Sequence, residues 1–113
     1  MRRFCQNRRV SSQSVGKPVT HAPLVLTKEQ LQRISRALSD PTRFEIFQQI
    51  AAGRCIACSE LRESISVTAP TVSHHLKELE NAGLIDSEHV GKFVNLTLRR
   101  EVWQAYLAEL GRI

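Results

Sequence analysis

The sequence predicts a mainly α-helical domain closed by one small β-hairpin. Hydrophobic residues recur at helical spacing between strong start and stop signals, and one stretch near the C-terminus alternates with the period of a strand. The length, 113 residues, leaves room for one compact domain. A chain this short buries only about two-thirds of the surface its unfolded form exposes, so a second subunit would add stability.

Thr27 with Gln30 reads as a capping box opening a first helix that runs to about Ser39, with Leu31, Ile34, Ala37 and Leu38 as its apolar stripe. Asp40-Pro41 starts a second helix. The carboxylate can accept free backbone N–H groups, and proline at the first helical position gives up only an N–H that had no partner. That helix is expected to reach about Ala52, to bury Phe44, Phe47, Ile50 and Ala51, and to stop at Gly53. A short third helix over Cys58–Ile65 contributes Leu61 and Ile65, and Ser66-Val67-Thr68 is a turn whose last residue suits an N-cap. A fourth helix over Ala69–Ala82 places Val72, Leu76 and Leu79 on one side and Pro70, His74, Lys77 and Asn81 on the other, with Gly83 as its left-handed stop. The hairpin follows: Leu84–Glu88, a tip around His89 to Lys92, and a return strand Phe93–Leu98. A last helix, about Arg100–Leu110, presents Val102, Trp103, Tyr106, Leu107 and Leu110 along one side.

The formal charge is +5, and its location matters more than its size. Residues 1–22 hold Arg2, Arg3, Arg8, Arg9 and Lys17 with no acidic residue, whereas the rest of the chain is formally neutral. A basic, disordered N-terminal arm over 1–22 and a folded domain over 23–113 are therefore expected. The arm is either a solvated tail or a source of non-specific phosphate contacts, and its Arg-rich, acid-free composition also resembles a mitochondrial transit peptide. No apolar run approaches the roughly 18 residues that cross a bilayer, and no apolar signal segment opens the chain. Three cysteines cannot all pair within one chain, which points to a reduced, cytoplasmic setting.

A short helix, a tight turn and an amphipathic helix with small or polar outward residues in its first turns have the geometry of a helix-turn-helix. Such a helix can enter the major groove of double-stranded DNA while its far face stays locked to the core. Pro70, Thr71, Ser73 and His74 meet that description, Thr68 stands at the helix start, and Lys77 can reach a phosphate. His75 falls on the edge of the buried face and is expected to be a packed, hydrogen-bonded histidine.

Two runs carry a family resemblance. Ala37-Leu38-Ser39-Asp40-Pro41-Thr42-Arg43-Phe44-Glu45-Ile46 resembles the ALxDPTRxxIL opening of the ArsR/SmtB winged-helix repressors. Thr71-Val72-Ser73-His74-His75-Leu76-Lys77-Glu78-Leu79-Glu80-Asn81-Ala82-Gly83-Leu84-Ile85 resembles that family's recognition helix, TVSxHLxxLxxAGLV, and Gly91-Lys92 with the strand after it resembles its wing. The resemblance spans about residues 27–110. It implies a winged helix-turn-helix, a homodimer held by the first and last helices, and repression by occupying an operator, often relieved by a metal or metalloid. It also implies that Thr71, Ser73 and His74 touch DNA and that Lys92 belongs to the wing. Trp103 and Tyr106 are expected to pack against the partner subunit rather than to form a ligand pocket.

On the sensing side the chain departs from the family. Arsenic-type members carry CVC inside the helix that opens the motif, whereas this chain has Cys55-Ile56-Ala57-Cys58 ahead of it. Arg99–Ile113 contains no His, Cys or Asp, so the family's zinc site on the final helix is not expected. Cys55 and Cys58 could hold a soft metal or metalloid ion, or act as a redox pair, with Cys5 as a third thiol. A helix N-terminus at Cys58 would lower its pKa. The other reading is that the cysteines are small hydrophobic filler. An enzyme is not expected, since no phosphate-binding glycine loop and no nucleophile with a base is evident. A winged helix that binds proteins instead of DNA, or a constitutive repressor without inducer, is the alternative.

Overall fold

The computed structural model describes residues 24–53 and 55–113. The expected basic arm, with Cys5, lies outside them. Five helices and a three-stranded sheet follow in the order α1 (Lys28–Ala37), α2 (Pro41–Ala52), β1 (Ile56–Ala57), α3 (Cys58–Ser64), α4 (Ala69–Asn81), β2 (Ile85–Val90), β3 (Phe93–Leu98) and α5 (Arg100–Gly111).

The helix starts are local chemistry. Thr27 Oγ1 accepts from the Gln30 backbone N–H at 3.0 Å while Gln30 Oε1 accepts from the Thr27 N–H at 2.8 Å, so the capping box closes in both directions. Asp40 accepts from the Arg43 N–H at 2.9 Å, with Pro41 just inside α2. Gly83 stands at φ +82°, and around it the Leu84 N–H donates to the Leu79 carbonyl at 3.1 Å and the Gly83 N–H to the Glu80 carbonyl at 2.9 Å. These two bonds make a Schellman motif, and its usual apolar pair is Leu79 with Leu84, both completely buried. The recognition-type helix is thus stopped and turned into β2 by one glycine.

The hairpin is tighter than the sequence suggests. Val90 pairs directly with Phe93, so the tip is Gly91-Lys92 alone, with Gly91 at φ +64°. A third strand was not expected: β1 pairs antiparallel with β3 through Ile56↔Leu96 and Ala57↔Asn95, giving the order β1-β3-β2. Two residues carry no readable period, and their partners lie about forty positions away in sequence, so no local signal announces the strand.

The core gathers Ile34, Ile46, Phe47, Ile50, Leu61, Val72, Leu79, Leu84 and Leu96, with Val102 and Tyr106 from α5. One expected core residue is wrong. Phe44 is 41% exposed and Ile46 takes its place inside. Helix α2 is apolar on more than one side, and tertiary packing chooses the face. Trp103 and Tyr106 are likewise employed mostly within the chain: Trp103 packs on Phe47 with ring centres 4.9 Å apart, and the Tyr106 hydroxyl lies 2.8 Å from Ser35 Oγ on α1. No helix among the described residues is long and apolar enough to cross a membrane.

Candidate nucleic-acid interface

Helices α3 and α4, joined by residues 65–68, form the helix-turn-helix, and α4 is divided lengthwise. Val72, His75, Leu76 and Leu79 are buried, whereas Thr68, Pro70, Ser73, His74, Lys77 and Asn81 are exposed and Thr71 is half-buried. Lys92 is exposed at the hairpin tip. The side chains expected to meet DNA therefore lie at the surface, most of them along the first turns of one helix.

The start of α4 differs in one respect from the expected N-cap. Thr68 has the extended backbone of a cap, and its carbonyl accepts from the Val72 N–H at 3.0 Å, but its hydroxyl caps no backbone group. It lies instead 2.9 Å from the Thr71 hydroxyl. That leaves the first-turn amides of α4 uncapped by Thr68 and ties the two hydroxyls together on the exposed side.

A partly buried polar node joins α4 to the helices beside it. Arg43 donates from Nε to the Ala37 carbonyl at 2.7 Å and from Nη1 to His75 Nδ1 at 3.3 Å. Arginine can only donate, so Nδ1 must accept and the neutral imidazole carries its proton on Nε2, 3.7 Å from Asp40 Oδ2. One guanidinium thus joins the end of α1, the start of α2 and the middle of α4. The sequence indicated that His75 would be hydrogen-bonded but gave no partner. Arg43 lies 32 positions earlier, within the first of the two family motifs.

The electrostatics follow the same geometry. The backbone N–H of Arg43 holds the Asp40 carboxyl below its ordinary pKa. Burial pushes the His75 imidazole below its ordinary value, with Arg43 and His74 acting in the same direction and the Asp40 and Glu78 carboxylates opposing. A histidine that binds its proton less tightly folded than unfolded makes folding weaker in acid. Stability is expected to be full above about pH 6.5, the ordinary histidine value, and to be lost as the pH falls through the lowered native value. Thermal melts from about pH 8 down to about pH 5 check this, and His75→Asn should flatten the acid limb. An equally steep limb in the variant would place the pH dependence elsewhere.

Cys58 is a free, half-buried thiol at the first position of α3. Burial raises its pKa, with Arg62 opposing. Among the described residues no group of three or more His, Cys, Asp or Glu side chains is placed to hold a metal ion.

Two packed helices of this shape followed by a sheet whose tip carries Lys92 define a winged helix-turn-helix domain. A helix-turn-helix domain family matches residues 38–88. The chain is 31% identical over 74 residues to the transcriptional repressor SdpR of Bacillus subtilis, covering 66% of this chain and 81% of that one. Its fold is similar to the crystal structure of an ArsR family transcriptional regulator (TM-score 0.68, 28% identity, 79% of this chain and 91% of that one). It also matches the solution structure of a homodimeric winged helix-turn-helix DNA-binding domain from Mycobacterium bovis (TM-score 0.60, 20% identity, 74% and 79% covered). The chain belongs to the ArsR/SmtB family of winged helix-turn-helix transcription regulators.

Proposed function

We propose that the protein is a repressor that binds an inverted-repeat DNA operator as a homodimer. The observation that carries this reading is the division of α4 into a buried apolar side and an exposed polar side with no acidic residue in its first turn. That is what entry into the major groove requires. Thr71, Ser73 and His74 then reach base edges, Thr68 and Pro70 lie at the groove entrance, and Lys77 with Lys92 contacts phosphates. A repressor among the relatives supports the sign of the regulation.

The dimer rests on α5. Trp103, Leu107 and Leu110 recur at i, i+4 and i+7, and the two leucines remain 47% and 40% exposed in the single chain. A second copy would cover this stripe, and the homodimeric Mycobacterium bovis domain is a precedent for such an assembly. Two-fold symmetry places the recognition helices about 34 Å, one DNA turn, apart or a multiple of it. With chromosomal DNA as partner, the site of action is the cytoplasm.

Footprinting on DNA upstream of the protein's own coding sequence tests the proposal, with two protected, inverted half-sites as the expected result. Deleting residues 1–22 should leave both half-sites protected and make the dependence of affinity on salt shallower, by at most about four units of log–log slope. Protection without two-fold symmetry would defeat the dimeric operator. No protection anywhere would favour a protein-binding module.

A further inference from the structure

A cavity of about 380 Å³ opens between α1, α2 and the last turn of α4, lined by Arg33, Arg36, Ala37, Arg43, Glu78 and Asn81. Its volume falls in the range of small-molecule sites. Counted at about 100° per residue, Arg33 lies roughly 160° around α1 from Ser35, the residue that meets α5, so the cavity faces away from the proposed dimer stripe.

The charge around the cavity is unbalanced. Arg33 and Arg36 stand three apart on one helix, where like charges repel, and neither side chain has an ion-pair partner among the described residues. Arg43 donates to the Ala37 carbonyl and to His75. Against three guanidinium groups stand the Glu78 carboxylate and the partial negative charges at the C-terminal ends of α1 and α4, about half an electron each. Among the lining groups about one positive charge is left over, with the Asp40 carboxylate acting on Arg43 from outside the lining. Guanidinium forks fit tetrahedral and planar oxyanions with two parallel N–H···O bonds, and the Asn81 amide adds a further donor.

We propose that this cavity binds a phosphate group. Spanning the first helix and the recognition helix, a bound phosphate ties the position of α4 to α1. The group has two sources, a small phosphorylated molecule acting as effector or a phosphate of the operator backbone. Binding of free phosphate can be measured on the protein alone, so it stands or falls independently of the operator reading.

The test is calorimetric titration of the full chain with inorganic phosphate, against sodium chloride at matched ionic strength. Saturable binding is expected, weakened at least about tenfold in Arg33→Gln/Arg36→Gln. Both arginines are exposed, and an unchanged melting temperature of the variant in chloride verifies its fold. Gel shifts then separate the sources. Should the variant lose affinity for all DNA sequences, with a salt slope lower by about one to two, the phosphate belongs to the operator. Should phosphate alter operator affinity in the wild type and not in the variant, it belongs to a free ligand. Absence of saturable phosphate binding in the wild type, or undiminished binding in the variant, overturns the proposal.

Discussion

Leu107→Asp combined with Leu110→Asp is expected to leave a folded monomer at micromolar concentration and to lower affinity for a two-half-site operator by about 10²–10⁴-fold. Both leucines lie on the exposed side of α5, beside the half-buried Trp103. Aspartate there costs the isolated chain little, because the carboxylates stay in water. In an interface the same groups would be buried as like charges without partners, which a complex cannot tolerate. The loss in affinity arises because two linked recognition helices bind at an effective concentration that separate monomers do not reach. Affinity for a single half-site should hardly change, and that contrast separates dimer loss from damage to α4. Light scattering, far-UV dichroism and gel shifts on one- and two-half-site DNA provide the measurements. A variant that remains dimeric would place the interface on another surface.

What could be read from the sequence was what neighbouring residues decide among themselves. The Thr27–Gln30 box, the Asp40-Pro41 start and the Gly83 stop each close through bonds between residues at most five positions apart, and each stands where it was expected. The two faces of α4 were legible for a similar reason, since burial follows the helical period once the helix is known. The choice between Phe44 and Ile46 was not legible, because α2 offers apolar residues on several sides and the decision lies with the elements packed around it. Strand β1 exists only by virtue of β3. In the sequence Arg43 is one letter of a motif, although its guanidinium joins α1, α2 and α4. The arginine-lined cavity has no local signature in the sequence, as its walls come from three helices.

At Cys58 two local effects act against each other. The residue does open a helix, as the spacing indicated, and helix starts favour thiolate. The helix is only seven residues long, and the thiol is partly withdrawn from water. Desolvation penalises the charged form, so the net shift is upward. Position along the chain was readable, but the depth of the side chain was not.

The exposed side of α4 makes the sharpest demand on the proposed function. Thr71→Ala with His74→Ala is expected to erase base preference at the positions they meet, at a cost of about 1–3 kcal/mol for each side chain that no longer reads its base. Lys77→Ala should instead weaken binding to all sequences and lower the salt slope by about one. His74 has no hydrogen-bond partner among the described residues, only a ring contact with His75 at 5.7 Å, so its nitrogens are available to a base edge. Thr71 is half-buried and its hydroxyl is oriented by Thr68 at 2.9 Å, which makes the two residues interdependent. Thr71→Ser keeps that hydroxyl and should retain most of the preference, whereas Thr68→Val should weaken it without removing the contacting group. Competition binding with operators substituted one base pair at a time reads all of these variants. If the Thr71, His74 and Lys77 changes lower affinity by the same factor for every sequence, these side chains contact only the backbone and the bases are read from elsewhere.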